Sequence, residues 1–225
     1  MFPDAPSIKA AATMLMARCS MGMSGQVCST TTRALVHESI YDDFIQYARE
    51  QTDAVRIGNP FEKTTTSAAI INKRQVDKIM TYISHGLEEG ARLVVGGDRP
   101  SGAAANGNFI NPTLFADVDN KMTIAQEEIF GPVLSVIPFK EEEEAVRLAN
   151  DTAYGLSSGV YTTDIARAFR IARALRAGSV GINGYNVVPN APLGGFKASG
   201  LGRELGWSGI EAFTETKTII LNFAS

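Results

Sequence analysis

Of the residue types able to do chemistry, cysteine is the most informative in this chain. Cys28 stands in Ser24-Gly25-Gln26-Val27-Cys28-Ser29, at a predicted helix-to-strand junction among small and polar residues. A nucleophilic thiol needs access and a means of holding its thiolate, and a tight polar turn can supply both. Cys19 differs, because it falls on the apolar face of the first predicted helix, where a thiol acts as a small hydrophobe. From the residues alone, Cys28 is either a reactive thiol or a structural one. A caspase-type arrangement is disfavoured, since it needs a histidine well upstream and little chain lies there.

The remaining motifs carry less. No G-x-x-x-x-G-K-[ST] phosphate loop is present, and Gly200-Leu201-Gly202-Arg203-Glu204-Leu205-Gly206 spaces its last glycine one residue too late for a dinucleotide fingerprint. Gly155-Leu156-Ser157-Ser158-Gly159 fits G-x-S-x-G, but a nucleophile elbow joins a strand to a following helix, and here the predicted order is reversed. Both histidines, His37 and His85, precede that serine and match no metal-ligand spacing.

The elements around these residues alternate. Helices are predicted over 7–23, 39–55, 67–89, 141–150 and from a Thr163 cap to about Ala177. Strands are predicted at Arg33–His37, Arg92–Val95, Phe109–Phe115 (interrupted by Pro112), Pro132–Phe139, Leu156–Tyr161 and Ser179–Asn183. A β-rich tail follows at Thr216–Phe223, and the glycine-rich stretch 181–209 reads as a long functional loop. This alternation implies an α/β fold with a largely parallel sheet covered by helices.

Composition bounds the rest. The 225 residues are 44% hydrophobic and 20% charged, enough for a packed core. A net charge of −3 leaves no footprint for nucleic acid or anionic membrane. Glu141–Glu144 reads as the solvated first turn of a helix. Two cysteines, no basic leader and no run of about 18 apolar residues suggest a reducing, cytoplasmic setting.

Five ordered segments together resemble one family, the NAD(P)-dependent aldehyde dehydrogenases. They are Gly25-Gln26-Val27-Cys28 with Arg33; Glu127-Glu128-Ile129-Phe130-Gly131-Pro132; Asn150-Asp151-Thr152-Ala153-Tyr154-Gly155-Leu156; Ala177-Gly178-Ser179-Val180-Gly181-Ile182-Asn183; and Pro192-Leu193-Gly194-Gly195-Phe196-Lys197 through Glu204, with Leu193 where the family usually has Phe. The resemblance implies the family's catalytic-domain fold over 1–214 and an oligomerisation strand over 215–225. It implies that Cys28 attacks an aldehyde carbonyl, with its own N–H holding the oxyanion, and that the resulting thioester is hydrolysed to an acid. Glu128 would bind the nicotinamide ribose of NAD or NADP, Phe130 would abut the nicotinamide, and Glu204 would relay protons. Val27, Ser29, Val188 and Leu193 would line a substrate tunnel suited to a nonpolar aldehyde, and no metal is implied.

Met1-Phe2-Pro3-Asp4-Ala5 resembles the point just after the family's L-E-L-G-G-K segment. The resemblance therefore implies that the N-terminal dinucleotide-binding domain, the general base and most cofactor contacts are absent. Low activity of the isolated chain is expected, as are a homo-oligomer, with Glu215 pairing with Arg203 across subunits, and a separately encoded cofactor-binding domain as a further partner. Two other readings remain: a cofactor-independent thiol esterase, and a non-catalytic interaction or structural fragment.

Overall fold

The structure is a computed structural model that describes residues 1–223. Its centre is a four-stranded sheet in the order β1 (Arg33–His37), β4 (Val133–Phe139), β3 (Thr113–Ala116), β2 (Arg92–Val95). β1 and β3 both run parallel to β4, and β2 is an antiparallel edge. β5 (Ser157–Val160) and β6 (Ser179–Ile182) form a separate parallel pair. The sheet is thus largely parallel, as expected, but split in two.

β3 is buried along its whole length and β4 at all but Pro138, the signature of strands covered on both faces. Leu134 and Val136 pack with Leu15, Met16 and Phe44, on the side of α1 (Ile8–Ser20) and α2 (Tyr41–Thr52). Val133 and Ile137 pack instead with Ile79 and Ile83 of α3 (Lys73–Glu88) and Ile124 of α4 (Thr123–Gln126). A third cluster joins Phe139 to Val160, Ala168, Ile171 and Leu175, where α5 (Glu142–Asn150) and α6 (Ile165–Ala174) cover the smaller sheet.

Several boundaries depart from the sequence pattern. α3 starts at Lys73, capped by Asn72, not at 67. Residues 67–71 lie outside any helix, and Ser67 makes bridges to Gly22 and Ile57. α6 is capped by Asp164, whose carboxylate accepts from Arg167 N, rather than by Thr163. β3 begins only at Thr113, since Pro112 has no N–H to give a ladder. Two short helices escaped the pattern, α4 and α7 (Gly206–Glu211), the latter inside the glycine-rich loop. The expected tail strand is not formed: residues 214–223 have no regular structure, and Ala224 and Ser225 lie outside the described residues. Ile219, Ile220, Leu221 and Phe223 are all exposed there. Among the described residues, no helix is long and apolar enough to cross a membrane.

Candidate active site

Cys28 follows α1 in a loop whose shape is imposed from three directions. Ser24 adopts a left-handed φ of 54°, and its hydroxyl shares a 2.8 Å bond with that of Ser67, which donates to Ser20 O at 2.7 Å. The Gln26 side chain donates to Met23 O and Ala69 O and accepts from Ile71 N at 2.9 Å. From the other side, Ser157 Oγ donates to Ser29 O at 2.9 Å. These bonds explain why 67–71 is not helical: it braces the turn before the thiol instead of joining α3.

Gly25 makes the third constraint. Its φ is +74°, and a Cβ there would stand 2.1 Å from Gly131 O and 2.9 Å from Cys19 O. Only glycine permits that approach. It lays the Cys28 turn directly on the Glu127–Gly131 loop, so two segments a hundred residues apart in sequence form one surface.

The Glu127–Gly131 loop is clamped by α3. Gln75 Nε2 donates to the carbonyls of Ile129 and Phe130 at 3.0 and 3.1 Å, Lys78 Nζ donates to Glu128 O at 3.0 Å, and Tyr82 OH donates to Glu127 Oε2 at 2.6 Å. With its carbonyls held, the loop accommodates Phe130 at φ 58° and leaves the Glu128 carboxylate exposed. The Tyr82 phenol is pushed up to about 12, by burial first and then by its bond to Glu127.

A cavity of about 470 Å³ opens beside these loops. Val27, Cys28, Glu128 and Phe130 are among the residues that line it, together with Thr152 and Tyr154. Cys28 is exposed, and its N–H meets no acceptor among the described residues. Cys19 is buried, donates weakly to Thr31 O at 3.7 Å and is pushed up to about 12 by burial. One thiol is presented and the other sealed.

The other expected residues are placed differently. Ser29 is buried behind Cys28 and contributes its carbonyl to the Ser157 bond. Val188 is 54% exposed, and neither it nor Leu193 lines the cavity. Glu204 exchanges two backbone bonds with Leu193, at 2.7 and 2.8 Å, and its exposed side chain lines a separate groove with Leu205, Ile210 and Phe213. In this chain, then, Cys28, Val27, Glu128 and Phe130 share one pocket, whereas Glu204, Val188 and Leu193 stand apart from it.

Two cations of the same motifs act on α5. Arg33 donates to Ala149 O at 2.8 Å and Leu148 O at 3.2 Å, and to the side chain of Asn120. Lys197 Nζ donates to Asn150 O at 2.7 Å and Thr152 O at 3.1 Å. Cations suit the carbonyl end of a helix. Burial lowers the Arg33 guanidinium, and burial followed by the nearby Arg176 and Arg33 lowers Lys197. The pattern of basic residues gave no hint of this shared target, because the target is backbone. Among the described residues, no cluster of His, Cys, Asp and Glu could hold a metal.

Fold and ordered motifs together point to one protein family. The pattern defining the aldehyde dehydrogenase family matches residues 1–219, and the chain belongs to that family. A putative aldehyde dehydrogenase of Staphylococcus saprophyticus is 48% identical over 196 residues, which is 87% of this chain and 41% of that protein. A betaine aldehyde dehydrogenase of Sinorhizobium fredii is 47% identical, across 87% of this chain and 40% of its own length. Among solved structures, the Mycobacterium tuberculosis aldehyde dehydrogenase complexed with NAD+ superposes with a TM-score of 0.92 at 44% identity, covering 98% of this chain and 45% of that one. Betaine aldehyde dehydrogenase of Staphylococcus aureus in complex with NAD+ gives 0.89 at 38%, covering 100% and 46%. The chain spans about two fifths of the length of the curated relatives it matches.

Proposed function

We propose that this chain carries the thiol-bearing half of an NAD(P)-dependent aldehyde dehydrogenase, with Cys28 as the nucleophile. The observation that carries this reading is the exposed Cys28 in one pocket with Glu128 and Phe130, in a chain of this family. The Cys28 thiolate adds to the aldehyde carbon: a C–S bond forms and the carbonyl π pair moves to oxygen. The unpartnered Cys28 N–H is available to that oxygen. Glu128 would accept from ribose hydroxyls and Phe130 would present its ring to the nicotinamide, since both line the same pocket as the thiol. The chemistry that NAD(P) supplies when bound is hydride acceptance. Cys28 holds the acyl carbon on both sides of that oxidation, first as the adduct and then as a thioester. Water adds to the thioester and expels the thiolate, releasing the acid.

In the family resemblance, the general base and the adenosine-end contacts fall in the part of the relatives that this chain does not span. Without such a base, deacylation is expected to slow by on the order of 10²–10⁴. The test is mass-resolved acylation of Cys28 alongside turnover with NAD+ and propanal. Slow turnover with Cys28 labelled fast by iodoacetamide supports the reading. Turnover unchanged in Cys28→Ala would overturn it. Hydrolysis of p-nitrophenyl acetate that needs Cys28 but no cofactor would instead favour the esterase reading, which rests on the same exposed thiol.

We further propose that 1–214 is the catalytic unit and that 215–225 joins a homo-oligomer, with Glu215 meeting Arg203 of another copy. The exposed run Ile219, Ile220 and Leu221 supports this, because extended apolar backbone without a partner favours strand pairing. Light scattering that gives a monomer at micromolar concentration would count against it.

A further inference from the structure

The serine of Gly155-Leu156-Ser157-Ser158-Gly159 does not sit at a nucleophile elbow, yet it reaches the loop of the thiol. Ser157 is the first residue of β5, and its Oγ donates to Ser29 O at 2.9 Å. No other donor meets Ser29 O among the described residues. The strand end that carries Ser157 is itself fixed. Gly155 N donates to Ser199 Oγ at 2.9 Å, and Gly155 O accepts from Gly178 N and Phe196 N at 3.0 and 2.8 Å. Leu156 O accepts from Ser179 N at 3.1 Å. A hydroxyl on such a base is oriented before any substrate arrives.

The receiving carbonyl belongs to a tight turn. Thr30 N donates to Val27 O at 3.0 Å, closing a β-turn with Cys28 and Ser29 at its centre. Two peptide groups of this turn therefore stand in series. The Ser29–Thr30 peptide accepts from Ser157 at its oxygen and donates from its N–H. The Val27–Cys28 peptide receives that bond at its oxygen, and its own N–H is the free N–H of Cys28. Each bond accepted by a carbonyl draws electron density toward oxygen and leaves the N–H of the same peptide more positive. Bonds in such a series strengthen one another by roughly 10–30% each. Ser29 is buried, so little water competes along the way. The series runs from the Ser157 hydroxyl through two peptides to the N–H beside the sulfur.

Resting on Cys28 as the nucleophile, we propose that Ser157 is a positioning residue for the oxyanion formed there. Its hydroxyl holds the turn and strengthens the Cys28 N–H as a donor. When the thiolate adds to a carbonyl, a C–S bond forms and the π pair moves to oxygen, so the charge this N–H must meet arises only in that step. Ser157 makes no bond to the sulfur and acts through the turn. A reaction of the same thiol that develops no oxyanion should therefore not feel it. Alkylation is such a reaction: the sulfur takes the methylene carbon of iodoacetamide, iodide leaves, and no carbonyl is attacked.

The test compares these two reactions in the 225-residue chain and in Ser157→Ala. p-Nitrophenyl acetate acylates Cys28 by addition and then expulsion of p-nitrophenolate, read as an absorbance burst and as an S-acetyl mass at Cys28. Iodoacetamide at the same pH reports access to the thiol and its ionisation. Ser157→Ala should slow the burst by about three- to tenfold, the range for one hydrogen bond acting at the transition state, while alkylation stays within about twofold. Ser158→Ala, one residue along the same strand, should change neither rate. Equal slowing of both reactions in Ser157→Ala would overturn the proposal, because Ser157 would then only brace the exposure of the thiol. An unchanged burst, or the same loss in Ser158→Ala, would overturn it too. A parent chain alkylated at Cys28 but never acylated there would overturn the nucleophile reading, and this inference with it.

Discussion

The loop carrying Cys28 and the glycine-rich stretch after Ile182 both consist of family-like motifs, yet they are held in opposite ways. Around Cys28, the side chains of Ser67, Gln75 of α3 and Ser157 of β5 reach in and fix backbone carbonyls, and Ile71 N donates to the Gln26 side chain. After Ile182 the chain is mostly exposed, tied down by Lys197, by the Leu193–Glu204 bridge and by Arg203, which donates to Gly195 O and lies over the Phe196 ring at 5.2 Å. The difference teaches that the turn before the thiol is braced by side chains of this chain itself. The Glu204 side is held by backbone bonds to Leu193 and leaves the Glu204 side chain exposed.

Predictions follow from that contrast. Gly25→Val should be the most damaging, because its Cβ would meet Gly131 O and its φ would be strained. A loss of about 2–4 kcal/mol is expected in denaturant unfolding, together with slower alkylation of Cys28. An unchanged alkylation rate would break the claim that the loop is pinned. Arg33→Met should come next, since it strands the Leu148 and Ala149 carbonyls, at a cost of about 2–3 kcal/mol.

The two cysteines sharpen the comparison without mutation. Burial raises Cys19 from 9.0 to about 12. Its contribution to stability is therefore complete below about pH 9 and lost as pH rises towards 12. At pH 8, iodoacetamide should label one thiol per native chain, and peptide mapping should find it at Cys28. Labelling of Cys19 at the same rate would mean that α1 opens readily.

Smaller effects belong to the looser side. Lys197→Met should cost under about 1 kcal/mol, for an exposed cation whose acceptors also meet water. Glu204→Gln should change stability by no more than about 0.5 kcal/mol and leave Cys28 alkylation untouched. A large effect of Glu204→Gln on Cys28 would show that the two regions are already coupled in this chain.

How far the molecule could be read from its sequence follows the same division. Alternation located β1, a continuous apolar run located β4, and helical period located α5 and α6, with Pro112 and Gly178 as breakers. The grouping of Cys28, Glu128 and Phe130 came from motif order, which carries the approach of Gly25 to Gly131 implicitly. What escaped was decided by side chains bonding to distant backbone. Residues 67–71 carry helical propensity but are claimed by Ser24 and Gln26. Asp164 outcompeted Thr163 at the cap because its carboxylate reaches Arg167 N. The split of the sheet was invisible because strand patterns do not name their neighbours. The tail's apolar pattern was legible, but among the described residues it pairs with no strand.

The pairing of β1 with β4 also sets a timetable. Arg33 finds its register opposite Ser135, about a hundred residues later in the chain. At ribosomal rates of about 5–20 residues per second, β1 and the thiol just before it emerge roughly 5–20 s ahead of the strand that fixes them. During that interval Cys19 is as open as Cys28, and oxidation of either would be written into the protein before it has folded.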